Sequence, residues 1–359
     1  MIPTEQRLVP REPQKTCAVC QRPALCRNYG VLTCDACKMF FRRAIFENLL
    51  YTCSENGKCL EEAPPPGRIC RGCRIRKCFE LGMDYVPTSM NILEVKNKKD
   101  DDLTGLLKDL KALDSSWHMK MLYFQTEEDP SLAEVLEGKY VALTKRTTQL
   151  TLSQHNLSYF SIYIHVSSMM NFGFVQQLST RDKLILFRDS SSKTKVLSAT
   201  MKRIEYARER GQEMYPQALM RVLNIDEGRL KRVCYALVCR LLELKVTAEE
   251  MLLLRLIFFC NPGVTDERFE TTPSLSAEAR SILSIQQKEF TSALFQYCQI
   301  KYGRSAPARL ADLLSLSSLV SKVDEDVKYI AMLFQCYMPS FKFHKLAIDT
   351  LQLSNNSEN

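Results

Sequence analysis

Cysteine spacing is the first feature of this 359-residue chain that indicates chemistry. Ten of its fifteen cysteines lie between Cys17 and Cys78. Two Cys-x2-Cys pairs separated by thirteen residues form one set of four, and a Cys-x5-Cys pair followed after ten residues by a Cys-x2-Cys pair forms a second. A tetrahedral Zn²⁺ ion takes four sulfur ligands of this kind. We therefore predict two closed, structural zinc sites, with ligands Cys17, Cys20, Cys34 and Cys37 in one and Cys53, Cys59, Cys70 and Cys73 in the other.

The remaining cysteines are predicted to be thiols. The N-terminus has no apolar secretory segment, and no uncharged apolar run reaches the roughly 18 residues of a membrane span, so neither export nor a membrane partner is predicted. We expect a free thiol at Cys26 and a packed one at Cys78, although a register using Cys73 and Cys78 stays open as a less favoured alternative. Five later cysteines are predicted to be small buried residues: Cys234, Cys239, Cys260, Cys298 and Cys336.

A segment with helical periodicity follows the first predicted zinc site. After Cys34 the chain continues DACKMFFRRAIFENLL, which contains no glycine or proline. Its apolar residues can share one face, and Asp35, Lys38 and Arg42 share the other at i, i+3 and i+7. A helix with one apolar and one polar, basic face suits the DNA major groove. The same pattern also fits a solvated helix on a structural zinc domain.

A basic cluster opens the segment after Cys70, RGCRIRKCFELGM. Between residues 15 and 85 there are twelve Lys and Arg residues against seven Asp and Glu residues, a balance that suits a polyanionic partner. The cluster suits phosphate contacts, and it equally fits a nuclear-localisation signal. Its members are Arg71, Arg74, Arg76 and Lys77.

The runs CDACKMFFRRAIFENLLYTC and CRGCRIRKCFELGM resemble the DNA-binding domain of the nuclear hormone receptors. The resemblance implies that the first helix enters the major groove of double-stranded DNA, where Lys38 donates to a guanine edge and Asp35 accepts from cytosine N4. Met39 is bulkier than the small residue of familiar members, and Pro64–Gly67 lengthen the second finger near the dimer contacts implied around Ser54 to Lys58. The implied DNA contacts are Asp35, Ala36, Lys38, Met39, Arg42 and Arg43.

The rest of the chain has a helical pattern. From about residue 106 to 353, apolar residues recur at three- and four-residue intervals, interrupted by glycine and proline. We predict a small two-zinc, eight-cysteine DNA-binding domain of the nuclear-receptor type at 14–86, followed by an all-α, layered helical ligand-binding-type domain at 116–359. A disordered N-terminus at 1–13 and a linker at 87–115 complete the prediction. No phosphate-binding loop, G-x-S-x-G or H-E-x-x-H motif is present, so no enzyme is predicted.

The helical part resembles, more loosely, the ligand-binding domain of the same family. The run from Phe174 to Leu186, with Asp182 and Lys183, matches that domain's signature. The resemblance implies a hydrophobic pocket for a small lipophilic ligand, although aromatic and methionine residues at helical spacing equally fit a filled core. The pocket residues would be Tyr159, Ile162, Tyr163, Val166, Met169 and Met170.

A short last helix is predicted between Phe341 and Leu353, after Pro339. The resemblance implies that such a helix clamps a coregulator peptide through an acidic residue between apolar pairs. Here Asp replaces the usual Glu, Thr350 interrupts the second apolar pair, and residues 167–177 contain no lysine for the other half of the clamp. Ligand-switched binding is therefore not predicted, and repression or unswitched activity stays open. The helix residues concerned are Leu346, Ile348, Asp349 and Leu351.

Together these patterns predict a zinc-dependent, sequence-specific DNA-binding transcription factor of a divergent receptor branch, similar to the supplementary receptors of nematodes. The resemblance implies a nuclear protein that regulates RNA polymerase II transcription. Its implied partners are DNA, coregulators, a homo- or heterodimer partner and a lipophilic ligand. Two alternatives stay open: an interaction protein whose zinc module titrates partners without binding DNA, and a lipid-binding or enzymatic domain with zinc fingers attached.

Overall fold

The computed structural model describes residues 15–55, 59, 69–87, 101–139, 141–145, 154–210, 227–261 and 274–354. The chain divides into two units. The first comprises Met1–Pro87, Ala112–Phe124 and Leu143–Leu150, and the second comprises Thr88–Lys111, Gln125–Ala142 and Thr151–Asn359. The predicted disordered segment 1–13 and the proline run Pro64–Gly67 lie outside the described residues.

The first unit begins with a β-hairpin. Strand β1 (Cys26–Asn28) pairs antiparallel with β2 (Val31–Thr33). The two residues between them, Tyr29 and Gly30, both have positive φ, at 53° and 86°. Positive φ at both central positions is the conformation of a tight type I′ turn, whose twist matches that of the paired strands.

Two helices form the centre of the first unit: α1 (Asp35–Phe46) and α2 (Arg71–Glu80). The apolar face predicted for α1 is buried, with Phe41 and Ile45 fully inaccessible to solvent. The rings of Phe41 and Phe79 meet edge to face with centroids 5.4 Å apart. This small aromatic core sets the position of α1 against α2.

Helix α3 (Asp101–Tyr123) follows, and its last part belongs to the first unit, which takes in Ala112–Phe124. Residues 88–100 of the predicted linker lie outside the described residues, whereas the chain is helical from Asp101 onward. Strand β3 (Phe124–Gln125) pairs with β4 (Thr144–Lys145) in a short two-stranded sheet.

The described part of the second unit is built from helices, as predicted. They are α4 (Leu132–Leu136), α5 (Gln154–Met169), α6 (Gly173–Gln176), α7 (Thr180–Arg210), α8 (Glu227–Glu243), α9 (Ala248–Phe259), α10 (Ala277–Tyr302), a 3-10 turn (Gly303–Ser305), α11 (Ala306–Tyr337) and α12 (Lys345–Leu351). Helix α7 packs against α4, α5, α8, α9, α11 and α12. Among the described helices, none has the length and apolar character needed to cross a bilayer.

Helix α9 is the interior helix of this unit. It begins with a capping box in which Thr247 and Glu250 each bond the other's backbone N–H. Every residue from Met251 to Phe259 is buried, which agrees with the pattern of apolar residues all round the helix. Glu250, also buried, receives Nε and Nη2 of Arg309 at 2.8 and 2.6 Å.

The predicted signature segment joins α7 to α10. The carboxylate of Asp182 accepts hydrogen bonds from Ser179 Oγ at 2.6 Å and from the backbone N–H of Ser276 at 2.8 Å. Ser276 is the N-cap of α10, so one buried carboxylate closes the start of both helices. Phe174, Val175 and Leu186 of the same segment are buried.

Candidate zinc centres and nucleic-acid interface

Two groups of four cysteine sulfurs come together in the first unit, and they are the two sets predicted from spacing. Within each group all four Sγ atoms lie within 4.8 Å of one another. We call the group Cys17, Cys20, Cys34 and Cys37 cluster I, and the group Cys53, Cys59, Cys70 and Cys73 cluster II.

The sulfur spacing fits zinc and excludes disulfides. The Sγ atoms of Cys20 and Cys34 are 3.6 Å apart in cluster I, and those of Cys53 and Cys59 are 3.4 Å apart in cluster II. Four sulfurs bound tetrahedrally at about 2.3 Å from one ion would be separated by about 3.8 Å. A disulfide needs about 2.05 Å. Each cluster therefore has the donor set and the dimensions of a closed, structural Zn²⁺ site.

Helix starts position half of the ligands. Cys34 is the N-cap of α1 with Cys37 in its first turn, and Cys70 is the N-cap of α2 with Cys73 in its first turn. The backbone N–H of Cys73 donates to Cys70 Sγ at 3.3 Å. The positive end of a helix dipole stabilises thiolates in this place. A Cys-x2-Cys pair at a helix start thus aims two sulfurs at one point.

Burial opposes ionisation of these thiols unless a cation is bound. Burial raises the pKa of the Cys73 thiol to about 12, with further raising by the neighbouring Cys53 and Cys70. For Cys17 burial also raises the pKa, but hydrogen bonds from the backbone of Cys34, Cys20 and Val19 outweigh it and bring the pKa to about 7. A zinc ion must displace the protons of such thiols, so metal binding and folding of the module are coupled.

Cysteines outside the clusters behave partly as predicted. Cys78 is fully buried and Cys26 is exposed. Cys260 and Cys298 are buried, as predicted, but Cys239 and Cys336 are exposed, which corrects the prediction for these two. Both lie on the exposed face of a helix, and residue type alone does not tell a buried cysteine from an exposed one. The side chain of Cys234 lies outside the part of the chain that the structure describes.

The face of α1 opposite the aromatic core carries all six residues that were predicted to contact DNA. Lys38 is half-buried and the other five are exposed, including Met39, whose side chain is 43% accessible. Arg42 lies over the Phe46 ring, with its guanidinium carbon 5.5 Å from the ring centroid. The six residues are Asp35, Ala36, Lys38, Met39, Arg42 and Arg43.

Two arginines of the basic cluster of α2 contact zinc-ligand sulfurs. Arg74 Nη2 donates to Cys37 Sγ at 3.1 Å, and the guanidinium lies 4.6 Å from the centroid of the Phe40 ring. Arg76 Nη2 donates to Cys73 Sγ at 3.3 Å and its Nε to the carbonyl of Gly72 at 3.3 Å. Both arginines are half-buried beside zinc ligands, whereas Arg71 is exposed and Lys77 is half-buried.

Two family models match this chain, one over the zinc module and one over the helical part. The family model described as "Double treble clef zinc finger, C4 type" matches residues 15–85. The one described as "Ligand-binding domain of nuclear hormone receptor" matches residues 155–337, and thus more than half of the chain lies in that match.

The relatives match over nearly the whole chain. Nuclear hormone receptor family member nhr-51 of Caenorhabditis elegans is 35% identical over 342 residues, which cover 94% of this chain and 90% of the relative. Member nhr-52 of the same nematode is 34% identical over 341 residues, covering 93% of this chain and 98% of the relative. The chain belongs to the nuclear hormone receptor family.

Family membership excludes the enzymatic class left open by the sequence and favours a DNA-binding transcription factor over the partner-titrating protein. Nuclear hormone receptors are transcription factors with a zinc-finger DNA-binding domain, not enzymes. The resemblance to nematode receptors is confirmed by these relatives. Clusters I and II of the receptor are its two structural zinc sites.

Five of the six residues predicted for a ligand pocket lie along α5 of the receptor, and the sixth, Met170, directly follows it. Ile162, Val166 and Met169 are buried, and Tyr163 and Met170 are half-buried. Tyr159 is also buried; its hydroxyl donates to the carbonyl of Glu128 at 2.6 Å, and its ring stacks on His344 with centroids 4.1 Å apart. The Tyr159 end of α5 therefore contacts the segment that leads into the last helix.

The last helix of the receptor, α12, is docked through its apolar residues and two carboxylates. Leu346, Ala347 and Thr350 are buried, whereas Ile348, Asp349 and Leu351 are half-buried. Asp349 Oδ2 accepts from the backbone N–H of Leu132, the first residue of α4, at 2.7 Å.

A second carboxylate, three residues before α4, binds the start of α12. Asp129 Oδ1 accepts from the backbone N–H of Lys345, the first residue of α12, at 2.9 Å and lies 3.2 Å from His344 Nδ1. Sequence reasoning missed Asp129 because 216 residues separate it from its partner, and an isolated acidic residue carries no signal of what it caps.

Proposed function

We propose that this receptor is a zinc-dependent transcription factor that recognises a specific DNA sequence through α1, acts in the nucleus and regulates RNA polymerase II transcription. One observation carries the proposal. The face of α1 that is turned away from the core presents a carboxylate, an apolar side chain and three cations at helical spacing, on a helix held by both a zinc site and an aromatic core.

The chemistry of that face matches base edges in the major groove. Lys38 supplies a donor for the O6 and N7 acceptors of guanine, and Asp35 supplies an acceptor for the N4 amino group of cytosine. The exposed thioether of Met39 suits contact with an apolar group such as the thymine methyl. Arg42 and Arg43 at the end of the same face can reach bases or phosphates.

Phosphate contacts from α2 are proposed for Arg71 and Lys77. Arg74 and Arg76 were included in the same prediction, but their donors are directed to Cys37 and Cys73. A guanidinium that bonds a zinc-bound thiolate orients the ligand and neutralises charge. We therefore propose that Arg74 and Arg76 support the zinc sites and assist DNA binding indirectly.

We propose that the helical domain binds coregulators and a dimer partner. We also propose that it binds a lipophilic ligand, which would lie along α5. Asp349, the acidic residue expected to hold a coregulator peptide, accepts instead from α4. Contacts within the chain thus hold the last helix in place, which supports transcriptional activity that does not depend on a bound ligand. A peptide that needs Asp349 must first compete with the Leu132 N–H.

In vitro selection tests the DNA-binding proposal. The zinc-loaded full chain is used to enrich sequences from a random duplex library, beside a chelated sample and the Lys38→Ala, Arg42→Ala double variant. Enrichment of a short motif by the zinc-loaded protein alone is expected. Absence of enrichment from a protein that holds two zinc ions per chain would refute the proposal and favour a partner-titrating protein.

A further inference from the structure

The segment Ala112–Phe124, which is the last part of α3 and the residue that follows it, packs on the zinc module although it lies outside both family matches. Ala112, Met119 and Phe124 are fully buried, and Ser116 is 3% accessible. The Phe124 ring meets the Phe79 ring of α2 edge to face, with centroids 6.2 Å apart. This segment, which we call the brace, is therefore part of the folded first unit.

The first anchor of the brace is the hydroxyl of Tyr123. It accepts from the backbone N–H of Tyr51 at 3.3 Å and donates to the carbonyl of the same residue at 3.2 Å. The Tyr123 hydroxyl thus forms hydrogen bonds with both the N–H and the carbonyl of Tyr51, which is not part of a β-strand. Such a contact holds the backbone of Tyr51 in one position.

Tyr51 in turn contacts α1. Its ring stacks on Phe40, with centroids 5.5 Å apart and planes 21° from parallel. Phe40 is on the buried face of α1, one residue after Met39 on the exposed face. On the other side, Gly72 approaches so closely that a Cβ there would lie 2.9 Å from the Thr52 backbone, so the chain next to Tyr51 has no room to shift toward α2.

The second anchor is Asp84. Its carboxylate receives Lys120 Nζ at 2.8 Å and Ser116 Oγ at 3.4 Å from the brace. The backbone N–H of Asp84 donates to the carbonyl of Tyr29 at 3.2 Å, and the Tyr29 ring packs on Phe41 with centroids 5.0 Å apart. Phe41 is the residue next to Phe40, so the two anchors lead to adjacent buried positions of α1.

We propose that Tyr123 and Lys120 are positioning residues for DNA recognition, because they hold the orientation of α1 through Tyr51–Phe40 and through Asp84–Tyr29–Phe41. Neither residue lies on the exposed face of α1. The inference rests on the proposed function for its DNA readout, and on the first unit alone for its structural readout.

The test compares full-length Tyr123→Phe, which loses only the hydroxyl, with Tyr337→Phe, which loses the hydroxyl of a tyrosine that is 65% exposed on α11. Backbone amide exchange of residues 47–55, zinc content, and affinity for the selected motif and for unrelated DNA are measured. Loss of one such hydrogen bond is expected to lower affinity for the motif about threefold to tenfold. Zinc content and affinity for unrelated DNA should stay at the wild-type level, and the amide of Tyr51 should exchange faster.

A second pair of variants keeps the test informative if Tyr123→Phe loses zinc. Lys120→Gln is expected to reproduce the loss of motif affinity, and Lys120→Arg to restore it, because arginine retains the charge that Asp84 binds. Wild-type affinity and wild-type exchange in both Tyr123→Phe and Lys120→Gln would overturn the proposal.

Failure of the proposed function has a separate signature. If the wild-type chain selects no motif, then amide exchange alone decides whether the brace holds α1. Unchanged exchange at Tyr51 and along α1 in Tyr123→Phe overturns the brace. Faster exchange at both places supports its structural part and removes only the link to DNA.

Discussion

Arg74 donates a hydrogen bond to Cys37 Sγ at 3.1 Å, across 37 residues of sequence and from one helix of the zinc module to the other. Its guanidinium also lies over Phe40. The second finger therefore supplies a cation to a ligand of the first zinc site. Such outer contacts orient a ligand and stabilise its thiolate.

Removal of this contact is expected to loosen cluster I. In Arg74→Ala, a charge-assisted hydrogen bond worth about 1.5–3 kcal/mol is lost. Zinc should therefore pass faster to a chromogenic chelator. Arg71→Ala, an exposed change on the same helix, serves as the control and should release zinc at the wild-type rate. Wild-type zinc release by Arg74→Ala, with weaker binding to every DNA sequence, would show that Arg74 contacts phosphate instead.

Loss of a cluster I ligand is expected to abolish DNA binding. Cys34→Ser removes one of the four sulfurs of cluster I, at the N-cap position of α1. Because metal binding is coupled to folding, α1 should lose its structure. Zinc content measured by atomic emission should fall from two ions per chain to one. Cys26→Ser is the matched control, since Cys26 is an exposed cysteine outside both clusters, and it should keep two ions and full DNA binding.

Two lysines of the zinc module are expected to differ in how they affect DNA binding. Lys38→Ala should lower discrimination at one base pair by roughly 1–3 kcal/mol. Lys77→Ala, on α2, should weaken all sequences alike and reduce the slope of log affinity against log salt by about 1. Binding to single-base variants of the selected motif at several salt concentrations measures both. An equal loss at every base pair in Lys38→Ala would contradict its role in base recognition.

The buried pair of Glu250 and Arg309 is expected to dominate the stability of the helical domain. In Arg309→Leu, a fully buried carboxylate is left without its cation, at a cost of about 3–5 kcal/mol. Arg240→Leu, which removes exposed pairs to Glu243 and Asp312, should cost about 1 kcal/mol or less. Urea unfolding followed by helical circular dichroism measures the difference, and similar midpoints for the two variants would refute the argument.

The same pair predicts a dependence on pH. Burial raises the pKa of Glu250, but the hydrogen bonds from Arg309, Thr247 and Tyr302 and the charge of Arg309 together outweigh it, so the pKa in the folded state lies below the usual value of 4.5. This stabilisation is present above pH 4.5 and decreases as the pH falls below it. The loss of stability between pH 6 and pH 4 should be smaller in Glu250→Gln than in the wild type.

Docking of the last helix is expected to depend on its carboxylate caps. Asp349→Ala leaves the N–H of Leu132 without its partner, and a cap of this kind contributes about 0.5–2 kcal/mol. Amide exchange of residues 345–351 should rise roughly twofold to thirtyfold, since each 1.4 kcal/mol is a factor of ten. Lys345→Ala removes only an exposed side chain and leaves the backbone donor to Asp129 in place, so its exchange should stay unchanged.

The sequence by itself determined both zinc ligand sets, the exposed face of α1 and the helical class of the second half. In each case the signal is local, because a Cys-x2-Cys pair places two sulfurs at one helix start and a period of three to four residues places apolar side chains on one face. The resemblance to receptors rested on the same short segments.

Only the tertiary structure decided what the long-range partners are. Arg74 was predicted to face phosphate and faces Cys37, Tyr123 reaches Tyr51 across 72 residues, and Asp349 caps α4 across 217. A charged or hydroxyl side chain takes whichever donor or acceptor packing brings within about 3 Å. That choice depends on how helices distant in sequence approach one another, and neither residue type nor spacing contains it.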